Sequence, residues 1–320
     1  MLKSVIILIA ISFFGCTAGS AFGQTIGYAD ALDQLAGSCG TDIAKYCKNE
    51  NLGGGRVRDC LLRNQSKVSA SCIGSVNSLG SLLQKRAAAR ASVMRVCDLD
   101  IKRRCSGVQA SDGNLMECFY KAKENISPAC RQAVADAGYE VALGSSSRSG
   151  SINLSSGDLV SSLQGVEAAA NTVSASQLRQ LVNQSLADPS RTNRVDRPPL
   201  YEQLDSLAQM TIAIQFDLNS ARIRPDSFRA VGLMADALYH PYLQGYRFLI
   251  VGHTDAKGSR EYNLKLSQER ADAIRAALIN PFGISPSRLE AVGLGEEQLL
   301  NRRDPEAAEN RRVQLINVGK

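Results

Sequence analysis

Residues 252–275 read Gly-His-Thr-Asp-Ala-Lys-Gly-Ser-Arg-Glu-Tyr-Asn-Leu-Lys-Leu-Ser-Gln-Glu-Arg-Ala-Asp-Ala-Ile-Arg and set one acid, Asp255, and one base, Arg270, around the start of a helix. Opposite charges held apart in this way suit a zwitterion. A guanidinium grips a carboxylate with two parallel charge-assisted hydrogen bonds, and the acid takes an ammonium of the same molecule. The apolar run at 246–251 reads as a buried strand ending at Gly252, which puts Asp255 just past its carboxyl end. Ser267 is a good N-cap, and Ala271, Ala273, Ile274, Ala277 and Leu278 continue with helical spacing, so Arg270 is expected at the third helical position. A cation there opposes the helix macrodipole by a few tenths to ~1 kcal/mol, and an arriving anion relieves the conflict. The alternative is an Asp255–Arg270 ion pair that only pins the loop to the helix.

His253 beside Asp255 invites an enzymatic reading, as a general base or a metal ligand. The chain has only two histidines, and the other, His240, precedes Pro241 at the end of a different helical stretch, so no metal-ligand spacing exists. Neither a Gly-x-Ser-x-Gly nucleophile turn nor a glycine-rich phosphate loop is present. No catalytic residue, metal or cofactor is therefore expected, and His253 reads as a structural strand-end residue. Arg311 and Arg312 fall on the last apolar stretch, where alternation sends them to opposite faces. One of them is expected to support the acidic pair Glu296 and Glu297 or to stand as a solvated edge charge.

The elements that must position these residues follow from periodicity. Residues 211–216 alternate like a strand, 226–239 show helical spacing through Phe228, Val231, Leu233, Met234 and Leu238, and 289–294 and 312–318 read as further strands. The order is β-α-β-α-β-β, an α+β domain with helices packed on one face of a mixed sheet, and about 120 residues suffice for its core.

The ordered set Phe216-Asp217, Ser220-Ala221, Gly252-His253-Thr254-Asp255, Gly258, Tyr262-Asn263, Leu266-Ser267, Arg270-Ala271, Gly293-Leu294-Gly295-Glu296 and Asn310-Arg311-Arg312-Val313 resembles the OmpA-like peptidoglycan-binding domain over about residues 205–320. The resemblance implies non-catalytic binding of the cell wall. Asp255 and Arg270 would hold the free amino and carboxyl groups of meso-diaminopimelate in the stem peptide, with further contacts from Phe216, Asp217, Thr254 and Asn263. A lysine at that stem position presents only an amine, so peptidoglycan of the meso-diaminopimelate type is the expected partner. The family often has a proline shortly after the Gly-x-Gly-Glu turn, whereas this chain continues Glu297-Gln298-Leu299.

The amino-terminal half repeats itself. Cys39, Cys47, Cys60 and Cys72 recur as Cys97, Cys105, Cys118 and Cys130, each displaced by 58 residues without a gap, and Asp42, Gly55 and Ser69 recur as Asp100, Gly113 and Ser127. The unit resembles the cysteine-rich repeat of the Golgi apparatus glycoprotein family, whose extracytoplasmic binding role comes without an identified ligand. No Cys-x-x-Cys pair occurs, and an even set in an exported chain reads as disulfides. Each unit is expected to be a small all-α hairpin stapled twice, and of the three pairings that four cysteines allow the nested one is favoured, Cys39 with Cys72 and Cys47 with Cys60. Each bridge contributes ~2 to 4 kcal/mol to a small core.

Lys3, an apolar run to Gly15 and Ala21-Phe22-Gly23 read as a signal peptide over 1–23, with cleavage before Cys16 as a lipoprotein alternative. Residues 24–142 hold the two repeats (about 39–80 and 97–138), 143–200 a flexible or partly helical linker that leaves the repeats free of the wall domain, and 201–320 the OmpA-like domain. The balance of 37 basic and 31 acidic residues gives +6, and no tryptophan or Lys/Arg-dense helix points to nucleic acid. The expected protein is exported to the periplasm of a Gram-negative bacterium, associated with the cell wall and outer membrane, and tethers a cysteine-rich module there. Two alternatives stand beside this: an adhesin or receptor-like protein that works through the repeats with an unidentified protein partner, and a cell-wall hydrolase.

Overall fold

A computed structural model describes residues 25–109, 112–139, 155–164, 173–187, 204 and 207–320. The expected signal segment with Cys16, and residues 143–154, 165–172 and 188–200 of the expected linker, lie outside the described residues.

The amino-terminal half is helical: α1 (Tyr28–Tyr46), α2 (Arg56–Arg63), α3 (Ala70–Val96), α4 (Asp98–Arg104), α5 (Asp112–Lys121) and α6 (Pro128–Asp136). Its cysteines are paired in the nested order, Cys39–Cys72 and Cys47–Cys60 in the first unit and Cys97–Cys130 and Cys105–Cys118 in the second. The repeated Asp and Ser meet in space. Ser69 caps α3 and its hydroxyl donates to Asp42 at 2.7 Å, while Ser127 caps α6 and donates to Asp100 at 2.7 Å. A polar pair that fixes one helix start against another is the physical content of that part of the repeat.

The carboxy-terminal half has the element order expected: β1 (Gln209–Ile212), α9 (Phe228–Leu238), β2 (Phe248–His253), α10 (Arg260–Ile279), β3 (Leu289–Gly295) and β4 (Val313–Asn317). The sheet runs β1-β4-β2-β3, with β2 and β3 parallel and the other pairs antiparallel. The parallel pair needs a long crossover, which α10 supplies. Arg288 ties the chain between α9 and β2 by donating to the carbonyls of Leu238, Leu243 and Tyr246, and burial pushes its guanidinium down to about 10.

Two expectations are corrected. Helices do not cover one sheet face only. Phe248, Ile250, Leu289, Ala291, Val313 and Leu315 face α9 and α10, whereas Leu249, Val251, Val292, Leu294, Ile316 and Val318 pack against Leu178 and Val182 of α8 (Ala175–Ala187). All six residues of β2 are buried because both of its faces are covered. The described parts of the expected linker are thus structural: α7 (Ser156–Leu163) buries Leu159, Val160 and Leu163, and α8 closes the second face.

The repeats are likewise docked rather than free. α1 lies along α9, and Asp236 of α9 accepts from the backbone amides of Tyr28 and Ala29 at 3.1 and 2.9 Å. It thereby caps a helix whose own N-cap, Gly27, has no side chain to do so. The same carboxylate takes Arg86 at 2.8 Å in a buried ion pair, and Arg90 lies 3.4 Å from the centroid of the Tyr239 ring.

Candidate ligand-binding site

The site is built where β2, β3 and α10 meet a hairpin at 215–224. Gly252 and Gly293 allow this closeness: a Cβ on the first would run into the Ser267 carbonyl and on the second into the Gln268 amide, so both strands rest directly on the α10 backbone. Beyond β2 the chain is fixed at each step. The Thr254 amide donates to the Gly295 carbonyl at 2.9 Å, the Ala256 amide to Pro305 at 3.0 Å, and the Lys257 amide to Asp255 Oδ1 at 3.2 Å.

α10 begins earlier than its apolar spacing implied. Ser259 is the N-cap, accepting from the Tyr262 amide at 3.2 Å, and Ser267 lies inside the helix, its hydroxyl donating to the Leu264 carbonyl and accepting from the Gly295 amide. Arg270 is therefore mid-helix, beyond the first turn in which the macrodipole would oppose a cation. The buried face runs Asn263, Leu266, Ser267, Arg270, Ala271, Ile274, Ala277 and Leu278, so polar groups occupy the half of the stripe nearest the strand ends.

Arg270 is 8% exposed. Its Nε donates to the Ser220 carbonyl at 3.0 Å, and its guanidinium carbon stands 4.9 Å from the centroid of the Phe216 ring. Burial holds it below the ordinary arginine value; Tyr262 and Asp255 act in the opposite sense and Arg311 adds to the depression, which places all four groups within one electrostatic neighbourhood. Among the described residues no carboxylate lies within ion-pair distance of Arg270. Asp255 is instead held by Arg311, whose Nη1 reaches its Oδ2 at 2.6 Å. The alternative of an Asp255–Arg270 clasp is not what the structure has.

The other residues expected at the site fall into two groups. Phe216 and Asp217 start the hairpin: Phe216 bridges Ile223, and Asp217 pairs with Arg222 across the turn. Asn263 is 2% exposed, and its amide donates to the carbonyls of Asp255 and Lys257 at 3.3 and 2.9 Å and to Glu296 at 2.6 Å, bracing the acid's loop from beneath. Thr254 is 2% exposed, and its buried hydroxyl has no hydrogen-bond partner among the described residues. His253 is 1% exposed within β2. Of the charges near the acidic pair, Arg260 takes Glu297 at 2.6 Å, and Arg311 goes to Asp255. Arg312 is 5% exposed and donates to the Gln298 carbonyl at 3.0 Å. Among the described residues no three His, Cys, Asp or Glu side chains converge as a metal site would require.

Sequence reasoning missed Arg311 as the partner of Asp255 and Ser220 as the partner of Arg270. The first was within reach of strand register: pairing Gly252 with Val313 in antiparallel strands brings the residues after β2 beside those before β4. The second depends on a hairpin fold-back for which no local signal exists.

At the strand ends the sheet and α10 thus set a largely buried arginine and a carboxylate braced by Arg311 in one electrostatic neighbourhood. Residues 215–312 match the OmpA family, and this part of the chain is an OmpA-like domain. It is 37% identical over 102 residues to the peptidoglycan-associated lipoprotein of Pseudomonas aeruginosa, a match covering 31% of this chain and 58% of that one. It is 42% identical over 84 residues to the namesake from Legionella pneumophila, covering 26% and 47%. The crystal structure of the peptidoglycan-associated lipoprotein from Burkholderia pseudomallei is similar at 34% identity, covering 32% of this chain and 87% of that one with a TM-score of 0.29. The chain spans less than two thirds of the curated relatives it matches.

Proposed function

We propose that this protein binds peptidoglycan without cleaving it, through the amino acid head group of meso-diaminopimelate, and holds its cysteine-rich half against the wall in the periplasm of a Gram-negative bacterium, in association with the outer membrane. The observation that carries the reading is Arg270: a largely buried guanidinium with one donor spent on a carbonyl, an aromatic face behind it, and no acid within ion-pair distance among the described residues. An anion satisfies it with charge-assisted hydrogen bonds worth ~1.5 to 3 kcal/mol each. Asp255 keeps acceptor capacity beyond Arg311 and the Lys257 amide, since a carboxylate offers about four lone-pair sites, and takes the ammonium. Phe216 is the surface on which Arg270 is oriented, Asp217 shapes the hairpin, and Thr254 and Asn263 set the height of Asp255. The names of the relatives that match the same segment support the reading.

The test is retention on purified sacculi. The full chain is expected to sediment with sacculi of the diaminopimelate type and at least ten-fold less with those of the lysine type. Asp255→Ala and Arg270→Ala, checked as folded by circular dichroism, are expected to lose most of the retention. Equal retention of both variants overturns the assignment, and release of soluble fragments by the wild type would replace it with a hydrolase.

A further inference from the structure

The first cysteine-rich repeat reaches into the ligand site. Between Cys47 and Cys60 the chain makes a short loop closed by their disulfide, and Asn51 stands in it. The Asn51 amide donates to the Ala221 carbonyl at 2.7 Å, and its Oδ1 accepts from the Ile223 amide at 3.2 Å and from its own neighbour, the Leu52 amide, at 2.9 Å. The hairpin that receives it is the one whose Ser220 carbonyl holds Arg270 and whose Phe216 backs it. Within the hairpin, the Asp217 amide pairs with the Arg222 carbonyl and the Arg224 amide with Gln215. Ala221 O and Ile223 N are therefore left on the outer edge, where a strand would present unpaired groups. One side-chain amide supplies both partners, as a neighbouring strand would.

The loop that carries Asn51 is itself seated on the arginine's helix. A Cβ on Gly53 would come 2.9 Å from the backbone of Ala276, which follows Arg270 on α10 by about 1.7 turns. The disulfide loop thus touches the site from two sides, through the hairpin and through α10. The second repeat provides an internal comparison. The residue 58 positions on from Asn51 is Gln109, which is exposed.

We infer that Asn51 is a positioning residue of the ligand site: it holds the 217–223 hairpin so that Arg270 is set for the ligand carboxylate before the ligand arrives. The inference rests on the reading of Asp255 and Arg270 as the binding pair. It makes the cysteine-rich half a working part of the site rather than cargo. Affinity then includes a contribution from keeping the hairpin ordered in the free protein, which a loosened hairpin must make up on binding.

The experiment is calorimetric titration of meso-diaminopimelate into the full-length oxidised chain, with thermal unfolding of each variant and hydrogen exchange of the Ile223 amide as companions. Asn51→Ala is expected to weaken binding about ten-fold and to speed exchange at Ile223. Asn51→Asp keeps the acceptor and loses the donor to Ala221, and is expected to lose about three-fold. Arg229→Ala removes the Asp30 ion pair elsewhere on the same interface and is expected to leave affinity within two-fold. Unchanged affinity in Asn51→Ala overturns the inference, and so does an equal loss in Arg229→Ala, which would make the effect a general loosening. Should Asn51→Ala fail to fold, Asn51→Asp decides by the same criterion. A wild-type chain that binds neither diaminopimelate nor sacculi overturns the underlying assignment, a result distinct from wild-type binding with indifferent Asn51 variants.

Discussion

Replacing Asp236 by alanine is expected to cost this protein ~3 to 5 kcal/mol. The carboxylate is 7% exposed and Arg86 3% exposed, and between them they join α9 to α3 and to the start of α1. Asp236 accepts three hydrogen bonds, from Arg86 and from the amides of Tyr28 and Ala29. Alanine leaves a buried guanidinium with, among the described residues, the Ile26 and Gly138 carbonyls and the Tyr28 ring, and takes the acceptor from two amides of a first helical turn. Loss of a cap is worth ~0.5 to 2 kcal/mol in other helices, but it shares the carboxylate with the ion pair and is not added to it. With a urea slope of about 3 kcal/mol per molar, the midpoint falls by roughly 1 to 2 M. The assay is urea unfolding of the oxidised chain followed by circular dichroism at neutral pH. The double variant Arg86→Met with Asp236→Leu removes both charges and is expected to recover most of the loss, because the expense lies in stranding one charge. A loss below about 1 kcal/mol for Asp236→Ala, or a double variant no better than the single, refutes the reasoning.

Two further outcomes are expected. Leu178 of α8 is fully buried against the second sheet face, so Leu178→Ala should destabilise the chain by ~2 to 5 kcal/mol in the same assay, whereas a spacer helix would tolerate it within about 0.5 kcal/mol. His240 is 1% exposed beside Tyr120 and Tyr242, and burial followed by the nearby Lys123 holds it down at about 4 against an ordinary 6.5. The unfolded chain then binds the proton first as pH falls, so His240 is stability-neutral above about 6.5 and unfavourable progressively from there to about 4, by at most ~3 kcal/mol. His240→Gln should flatten the stability profile in that window, and an unchanged slope contradicts the assignment.

What could be read in the sequence was local. The β-α-β-α-β-β order and the eight paired cysteines come from spacing within each half of the chain. The start of α10 is hidden in the sequence because its first turns bury Asn263 and Ser267, so the continuous apolar spacing begins only at Ala271. The second covered sheet face was signalled by Phe248-Leu249-Ile250-Val251, an unbroken apolar run where a half-buried strand would alternate, but the run alone does not say which segment covers it. Docking was invisible for a different reason. Asp236, Arg86 and Asn51 are polar residues whose value depends on partners more than a hundred residues away, and no periodicity records such a match.

The cap on α1 also sets an order of assembly. Gly27 offers its helix no acceptor, and the carboxylate that serves instead is 208 residues further along the chain. Until α9 has been made, the first turn of α1 lacks the carboxylate that accepts from its amides. Contacts of such long sequence separation form late and slow the closing step. A chain ending before α9 would expose the side of α1 that packs on that helix, so the amino-terminal half depends on the carboxy-terminal half for its cover.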